Sequence, residues 1–124
     1  MKILVTGATG YVGGRLVPRL LQAGHSLRCL GRDRSRLQGR PWAEQVEIVE
    51  GDVLADADLH TALRGVEVAY YLIHSLGGGE DFRERDRQAA RRFGEVAAEE
   101  GVARIVYLGG LGDPRSDLSE HLRS

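Results

Sequence analysis

The chain has 124 residues, a formal net charge of −1, 42% hydrophobic residues and 28% charged residues. This size allows one domain, and the near-neutral charge gives no general attraction to nucleic acid. No apolar run reaches the roughly 18 residues of a transmembrane helix, so no membrane partner is expected in this segment. The single cysteine, Cys29, has no partner for an internal disulfide, and a cytoplasmic location is the expectation.

The first half of the chain predicts three strands separated by helical or turn segments. A β-branched run at 2–7 predicts a buried strand, and apolar residues at helical spacing predict a helix over 10–23. After these come a second strand at 25–30, an arginine-rich loop with a short helix or turn at 31–42, and a third strand at 46–50.

The second half predicts two more helices and two more strands. A short helix follows the third strand, with Asp56 or Asp58 expected as its N-cap, and an apolar fourth strand spans 66–74. A longer helix over 83–100 turns one apolar face inward and precedes a fifth strand at 103–110. The residues expected on that inward face are Ala89, Ala90, Phe93, Val96 and Ala97.

This alternation of strands and helices predicts an α/β fold. Buried strands joined by helices form a parallel sheet with helices on both faces, and right-handed crossovers make the sheet doubly wound. We expect about five strands in residues 1–124, with a sixth strand and a substrate region following in a longer protein. Without the sixth strand the sheet has an open edge, through which a homo-oligomer can form.

The stretch ILVTGATGYVGGRL places three glycines, Gly7, Gly10 and Gly13, between the first strand and the first helix. The first amides of a helix have no internal partner and, together with the helix dipole, attract an anion. Gly7 permits a tight turn, Gly10 the close approach of a diphosphate, and Gly13 close helix packing. A structural turn without a ligand is the alternative. The expected contacts of the diphosphate are Gly7, Ala8, Thr9, Gly10, Tyr11, Val12 and Gly13.

The residues after the second strand bear on which dinucleotide binds. Gly31-Arg32-Asp33 follows the strand at the place where the adenosine ribose is expected. A carboxylate such as Asp33 favours NAD by binding the ribose hydroxyls, whereas Arg32 favours NADP by pairing with the 2′-phosphate. Because Arg32 comes first and has basic neighbours, we expect NADP in preference to NAD. Arg34 and Arg36 fit a solvated charged loop as well as a ligand site.

A third signal, Asp52-Val53, follows the third strand. Asp52 can accept a hydrogen bond from the adenine amino group, and Val53 can offer a main-chain contact. An ordinary glycine-aspartate turn is the alternative.

Together, TGATGYVGG, the GRD after the second strand, EGDV and YYLIHS resemble the extended or atypical short-chain dehydrogenase/reductase superfamily. The resemblance is strongest to NmrA-like proteins and to NAD(P)-binding proteins similar to epimerases and dehydratases. It implies a Rossmann fold that binds NADP or NAD, and it places Leu72, Ile73 and His74 at the nicotinamide side. For His74, a hydrogen-bonded structural histidine at a strand end is the alternative.

The resemblance also implies a Tyr-x-x-x-Lys pair after the fifth strand and a serine at the end of that strand. None of the four tyrosines follows the predicted fifth strand, Gly109 or Gly110 stands in place of the serine, and His121 stands near the expected tyrosine position. We therefore assign no catalytic residue and no metal ligand. Three functions stay open. One is the cofactor-binding part of an oxidoreductase or epimerase/dehydratase with an unknown small-molecule substrate, and another is a non-catalytic protein that senses NADP or uses it structurally. The third is a protein–protein scaffold that kept the fold and lost the ligand.

Overall fold

The computed structural model describes residues 1–73 and 80–107, with side chains in the second range from residue 84 onward. His74, the glycines at 77–79 and everything after residue 107, including Gly109, Gly110 and His121, lie outside the described residues. The elements in chain order are β1 (Lys2–Thr6), α1 (Tyr11–Gln22), β2 (Ser26–Gly31), α2 (Arg34–Gln38), a 3-10 turn (Ala43–Gln45), β3 (Glu47–Glu50), α3 (Asp56–Leu63), β4 (Val68–Tyr71), α4 (Glu80–Glu99) and β5 (Arg104–Tyr107).

The five strands are parallel and lie in the order β3-β2-β1-β4-β5. Residues of α1 and α2 pack on one face of the sheet, and residues of α3 and α4 pack on the other. The predicted doubly wound, Rossmann-like sheet of about five strands is therefore confirmed. The chain leaves β1 toward β2 and β3 and returns on the other side of β1 with β4. This reversal is where open α/β sheets bind ligands.

Side chains of the central strand β1 alternate between two buried clusters, one on each face of the sheet. Ile3 and Val5 pack on the α1 face, and Leu4 packs on the α4 face. On that second face, the fully buried ring of Phe93 meets Tyr71 edge-on with 4.8 Å between ring centroids. Each such buried apolar side chain stabilises the fold by about 1.5–3 kcal/mol relative to exposure. The predicted inward face of α4 is confirmed, with Ala90 partly buried and the other members fully packed: Ala89, Phe93, Val96 and Ala97.

Cys29 is buried within β2 on the α1 face. Burial raises the pKa of its thiol to about 12, because the thiolate would lose its hydration. The thiol therefore stays protonated and unreactive at neutral pH, and Cys29 is a packing residue.

Arg28 connects β2 to the end of α3 and to β3. Its Nη1 donates to the carbonyl oxygens of Ala62 at 2.6 Å and Arg64 at 2.8 Å, and its Nε donates to Glu47 at 3.0 Å. The last carbonyls of a helix have no internal donor, so Arg28 satisfies groups that α3 cannot. Hydrogen bonds from Lys2 and Arg28 hold the pKa of Glu47 below its usual range.

The predicted N-cap of α3 is wrong. Ala55 occupies the N-cap position, and no side chain among the described residues caps the helix there. The two expected caps have other partners: Asp56 forms an ion pair with Arg92 at 2.6 Å, and Asp58 accepts a hydrogen bond from the Asp52 amide at 2.8 Å. A contact to α4, 36 positions away, and one to the loop after β3, six positions away, therefore outweigh the local capping preference.

The strand predicted at 66–74 is shorter in the structure, where β4 covers Val68–Tyr71. Its length follows from its neighbour, since β4 pairs with β1 only over Ile3–Thr6 before β1 ends in the glycine turn. One further bond, from the Leu72 amide to the Thr6 carbonyl at 2.8 Å, closes the ladder.

The turn between β1 and α1 brings main chain into close contact with main chain. Gly7 has φ of +100°, and a Cβ there would lie 2.9 Å from the carbonyl carbon of Leu72. A Cβ on Gly13 would lie 2.2 Å from the Gly7 carbonyl oxygen. Both positions therefore require glycine, and Gly13 allows the first turn of α1 to rest directly on the loop.

We predict that Gly13→Ala lowers the free energy of unfolding by about 2 kcal/mol or more, because the added methyl overlaps the Gly7 carbonyl. The matched control is Gly14→Ala, whose Cβ would lie 3.6 Å from the Ala8 carbonyl oxygen, an ordinary contact. Alanine is the better helix former, so this control should gain about 0.5–1 kcal/mol. Urea denaturation of both variants measures the difference, and equal effects would contradict the packing argument.

Candidate functional site

A groove of about 430 Å³ runs along the carboxyl ends of β1 and β2. It lies beside the point where the strand order reverses, the usual place for a ligand in this kind of sheet. One wall is the glycine loop, and the other is the segment that leads from β2 into α2. The lining residues are Gly7, Ala8, Thr9, Leu30, Gly31, Arg32, Asp33, Arg36, Leu37 and Ile73.

The beginning of α1 presents main-chain amides beside this groove. Gly10 is the N-cap with φ of −78° and ψ of 175°, and no side chain in the described part of the chain caps the helix. The Gly10 amide donates to Gly7 and the Gly14 amide to Gly10, at 3.1 and 2.9 Å. The intervening amides of Tyr11, Val12 and Gly13 belong to the first turn, where a helix has no acceptor to offer them. They and the helix dipole favour an anion.

Gly10 differs from Gly7 and Gly13 in what surrounds it. A Cβ at Gly10 would meet only the Gly7 carbonyl oxygen, at 3.4 Å. Its φ is negative, so any residue can adopt this conformation. Protein packing therefore does not require glycine at this position, and the space beside it is open. This arrangement fits a diphosphate that approaches the main chain closely.

The arginine-rich segment after β2 divides between the groove and the sheet edge. Arg32 and Arg36 line the groove. Arg34 turns to the edge strand β3, where its guanidinium donates to the carbonyl oxygen of Ile48 at 3.1 Å and its amide donates to Glu50 at 3.0 Å. The sequence left Arg34 and Arg36 equivalent, and the structure separates them.

Asp33 serves as the N-cap of α2. One of its carboxylate oxygens accepts hydrogen bonds from the Ser35 amide at 3.0 Å and from the Ser35 hydroxyl at 2.6 Å. These two bonds hold the pKa of the Asp33 carboxyl below its usual range. The carboxylate therefore stays ionised, and one oxygen is committed to the protein.

The wall formed by α2 depends on another glycine. A Cβ on Gly31 would lie 2.9 Å from Cδ1 of Leu37, so Leu37 packs down onto the end of β2. Leu37 is buried, and its neighbour in the chain, Arg36, lines the groove. Leu30 and Leu37 were not predicted from the sequence as site residues, and Gly31 was noted only as the start of the Gly31-Arg32-Asp33 stretch. The signal was available in the apolar Leu37 inside the predicted short helix.

Among the described residues that the sequence predicted for the site, Tyr11, Asp52, Val53 and Leu72 do not line the groove. The Asp52 carboxylate accepts a hydrogen bond from the Leu54 amide at 2.9 Å, and Val53 packs against the core. Leu72 is buried with its main chain against Gly7, and Tyr11 is exposed beneath the guanidinium of Arg15, which lies 4.5 Å from its ring centroid.

Within residues 1–73 and 80–107, none of the helices combines the length and the apolar character of a membrane span. The same residues contain no group of three or more histidine, cysteine, aspartate or glutamate side chains that is placed to hold a metal ion.

Comparison with known proteins agrees with the fold and with the glycine loop. A sequence model of the NAD(P)H-binding family matches residues 7–122. A 3-beta-hydroxysteroid dehydrogenase of Mycolicibacterium neoaurum is 31% identical over 116 residues, covering 86% of this chain and 31% of that protein. The chain thus spans about a third of the length of the curated relatives that it matches.

Two solved structures are similar in fold and in sequence. The triphenylmethane reductase of Citrobacter sp. complexed with NADP(H) has a TM-score of 0.73 and 26% identity over 88% of this chain and 37% of its own. A short-chain dehydrogenase/reductase superfamily protein of Agrobacterium tumefaciens with bound NAD has a TM-score of 0.69 and 28% identity over 86% and 32% of the two chains. The chain therefore belongs to the NAD(P)H-binding family and carries the dinucleotide-binding domain of proteins similar to short-chain dehydrogenases/reductases.

Proposed function

We propose that this chain binds NADP in preference to NAD, as the cofactor-binding domain of an oxidoreductase or an epimerase/dehydratase. Residues 1–124 form that domain in the proposal, and the substrate is a small molecule. The observation that carries the proposal is the open space beside Gly10, next to first-turn amides. The relatives support it, since one is named a dehydrogenase and one a reductase complexed with NADP(H).

The diphosphate of the dinucleotide would lie against the loop from Gly7 to Gly13. Main-chain amides of α1 would neutralise part of its charge, and the absent side chain of Gly10 would allow the close approach. When bound, the cofactor supplies hydride transfer at its nicotinamide ring. In the proposal, the glycine loop and the groove residues bind and orient the cofactor. The contacts of Leu72, Ile73 and His74 with the nicotinamide, and of Asp52 and Val53 with the adenine, stay predictions.

The preference for NADP is supported by the charges at the groove. Arg32 and Arg36 line it, and a guanidinium can pair with a 2′-phosphate through two parallel hydrogen bonds. Asp33 would favour NAD by accepting bonds from both ribose hydroxyls, but one of its oxygens already caps α2. Arg32 and Arg36 are therefore better placed to bind a 2′-phosphate than Asp33 is to bind both ribose hydroxyls.

A second candidate function is a non-catalytic protein that binds the dinucleotide to sense it or to use it structurally. It is favoured by the sequence at and after the end of the predicted fifth strand, where Gly109 or Gly110 stands in place of the expected serine and His121 stands near the expected tyrosine position. Tyr71 and Tyr107 are packing residues of the sheet, and burial raises the pKa of both side chains. A cytoplasmic location also stays a prediction.

We predict that Gly10→Ala weakens dinucleotide binding about tenfold or more while leaving the free energy of unfolding within about 1 kcal/mol of the wild type. Gly10→Asp should weaken binding by at least ~3 kcal/mol, because its carboxylate would face the diphosphate without compensation. Calorimetric titration with NADP and NAD measures both effects. Gly14→Ala is the matched control, with unchanged affinity expected. Wild-type chain that binds neither nucleotide, or Gly10→Asp chain that binds normally, would overturn the proposal.

We predict that Arg32→Met lowers affinity for NADP by about ten- to a hundredfold, the usual effect of losing a charge-assisted hydrogen bond, and leaves affinity for NAD nearly unchanged. Arg34→Met is the matched control, because its guanidinium faces the β3 edge and not the groove. Titration of each variant with both nucleotides gives the ratio of the two dissociation constants. An unchanged ratio in Arg32→Met would refute the proposed role of Arg32.

We also propose that two copies of the chain associate through the β5 edge. In the described part of the chain, β5 pairs with β4 on one side only. A groove of about 290 Å³ lies beside it, lined mostly by small and apolar residues that include Gly94, Ala98, Val102 and Ile105. Unpaired strand edges favour pairing with another chain.

The test of this association is Ala98→Glu, which places a charge in that groove and should shift the chain toward monomer. The matched control is Ala57→Glu, an exposed alanine on α3. Gel filtration with light scattering over a range of protein concentrations measures the oligomeric state. Monomeric wild-type chain at the highest concentration would argue against this interface.

A further inference from the structure

One long-range contact joins the glycine loop to the segment after α2. The Nη2 atom of Arg40 donates a hydrogen bond to the carbonyl oxygen of Thr9 at 2.7 Å, across 31 positions of sequence. Thr9 lines the groove, and it directly precedes Gly10, the N-cap of α1. The contact therefore acts on the main chain where the proposed diphosphate site begins.

The main chain of Arg40 is held on both sides. Its amide donates to the Leu37 carbonyl, and its own carbonyl accepts from the Ala43 amide, at 3.2 and 3.1 Å. Leu37 and Trp42, which flank it, are both buried in the cluster that also contains Ala8 of the glycine loop. The main chain of Arg40 is therefore already fixed, and its side chain alone spans the distance to Thr9. Forming the bond costs little main-chain entropy for this reason.

The bond fixes one peptide group of the loop from both ends. The carbonyl of the peptide between Thr9 and Gly10 accepts from Arg40, and the amide of the same peptide donates to the Gly7 carbonyl at 3.1 Å. A peptide unit is planar, so holding both ends sets its orientation. That orientation sets the entry of the chain into α1, and with it the direction of the amides of Tyr11 and Val12.

We propose that Arg40 is a positioning residue for the diphosphate, acting through the Thr9 carbonyl to keep the first-turn amides of α1 aligned before the ligand arrives. This inference rests on the proposed dinucleotide binding. Preorganised donors bind an anion more tightly because no ordering cost is left for the binding step. The diphosphate is common to NADP and NAD, so Arg40 affects both nucleotides, whereas Arg32 distinguishes them.

The experiment compares Arg40→Met with wild type by calorimetric titration against four ligands. NADP, NAD and ADP contain the diphosphate, and adenosine 2′-phosphate does not. We expect Arg40→Met to weaken the first three by a similar factor of about ten, the usual effect of losing a hydrogen bond from a charged donor. Adenosine 2′-phosphate should bind as before. Arg40→Lys keeps a charged donor of similar reach and should recover most of the affinity.

The matched control is Arg91→Met, an exposed arginine on α4 on the opposite face of the sheet. Thermal unfolding of every variant shows whether it is folded. If Arg40→Met does not fold, Arg40→Gln is titrated in its place with the same expected results. Unchanged affinities in Arg40→Met would overturn the inference. Weakening confined to NADP and adenosine 2′-phosphate would overturn it too, since Arg40 would then contact the 2′-phosphate. Wild-type chain that binds neither NADP nor NAD would overturn the proposed function itself.

Discussion

The structure depends on the close approach of main chain to main chain at the end of β1. Gly7 turns the chain with a positive φ while its own Cα faces the main chain of Leu72, and Gly13 lets α1 rest on the Gly7 carbonyl. With a side chain at Gly13, α1 would have to move away from the loop, and with one at Gly7 the loop would have to move away from Leu72. The direction of the first-turn amides, the open space at Gly10 and the groove beside them all follow from this contact. The packing core and the candidate binding site therefore share the same few atoms.

Charged side chains around this turn are divided between holding the fold and facing the groove. Asp33 caps α2, and Arg34 binds the main chain of β3. Arg32, just before the N-cap of α2, and Arg36, within the helix, line the groove, and Asp33 lines it as well as capping α2. The first pair holds the wall of the groove, and the second gives the wall its charge. In a chain with a net charge of −1, this local separation matters more than the total.

The sequence predicted the architecture well because the signals for it are local and periodic. Strand and helix patterns alternate, and the glycine spacing identifies the turn between β1 and α1 because it falls between a strand pattern and a helix pattern. Features that depend on distant partners were not predictable in this way. Asp56 has the composition of a cap, but Arg92, 36 positions away, binds it instead. The bond from Arg40 to Thr9 joins positions that no local pattern relates.

The groove residues were only partly predictable for the same reason. Arg34 and Arg36 differ by their rotation around α2, which is set by the packing of Leu37 on Gly31. The capping role of Asp33 could have been predicted from the sequence, since an aspartate two residues before a serine at a helix start is a common local arrangement. The hydrogen bonds of the structure are needed to see that capping and ribose binding compete for the same Asp33 carboxylate.

The contact of Arg34 with β3 has a consequence for assembly. By occupying an outward carbonyl of the outermost strand, it covers one rim of the sheet with a cation, a device that discourages strand addition there. In the proposed association of two copies through β5, this covered rim would keep further copies from adding at β3, so that assembly would end with a pair.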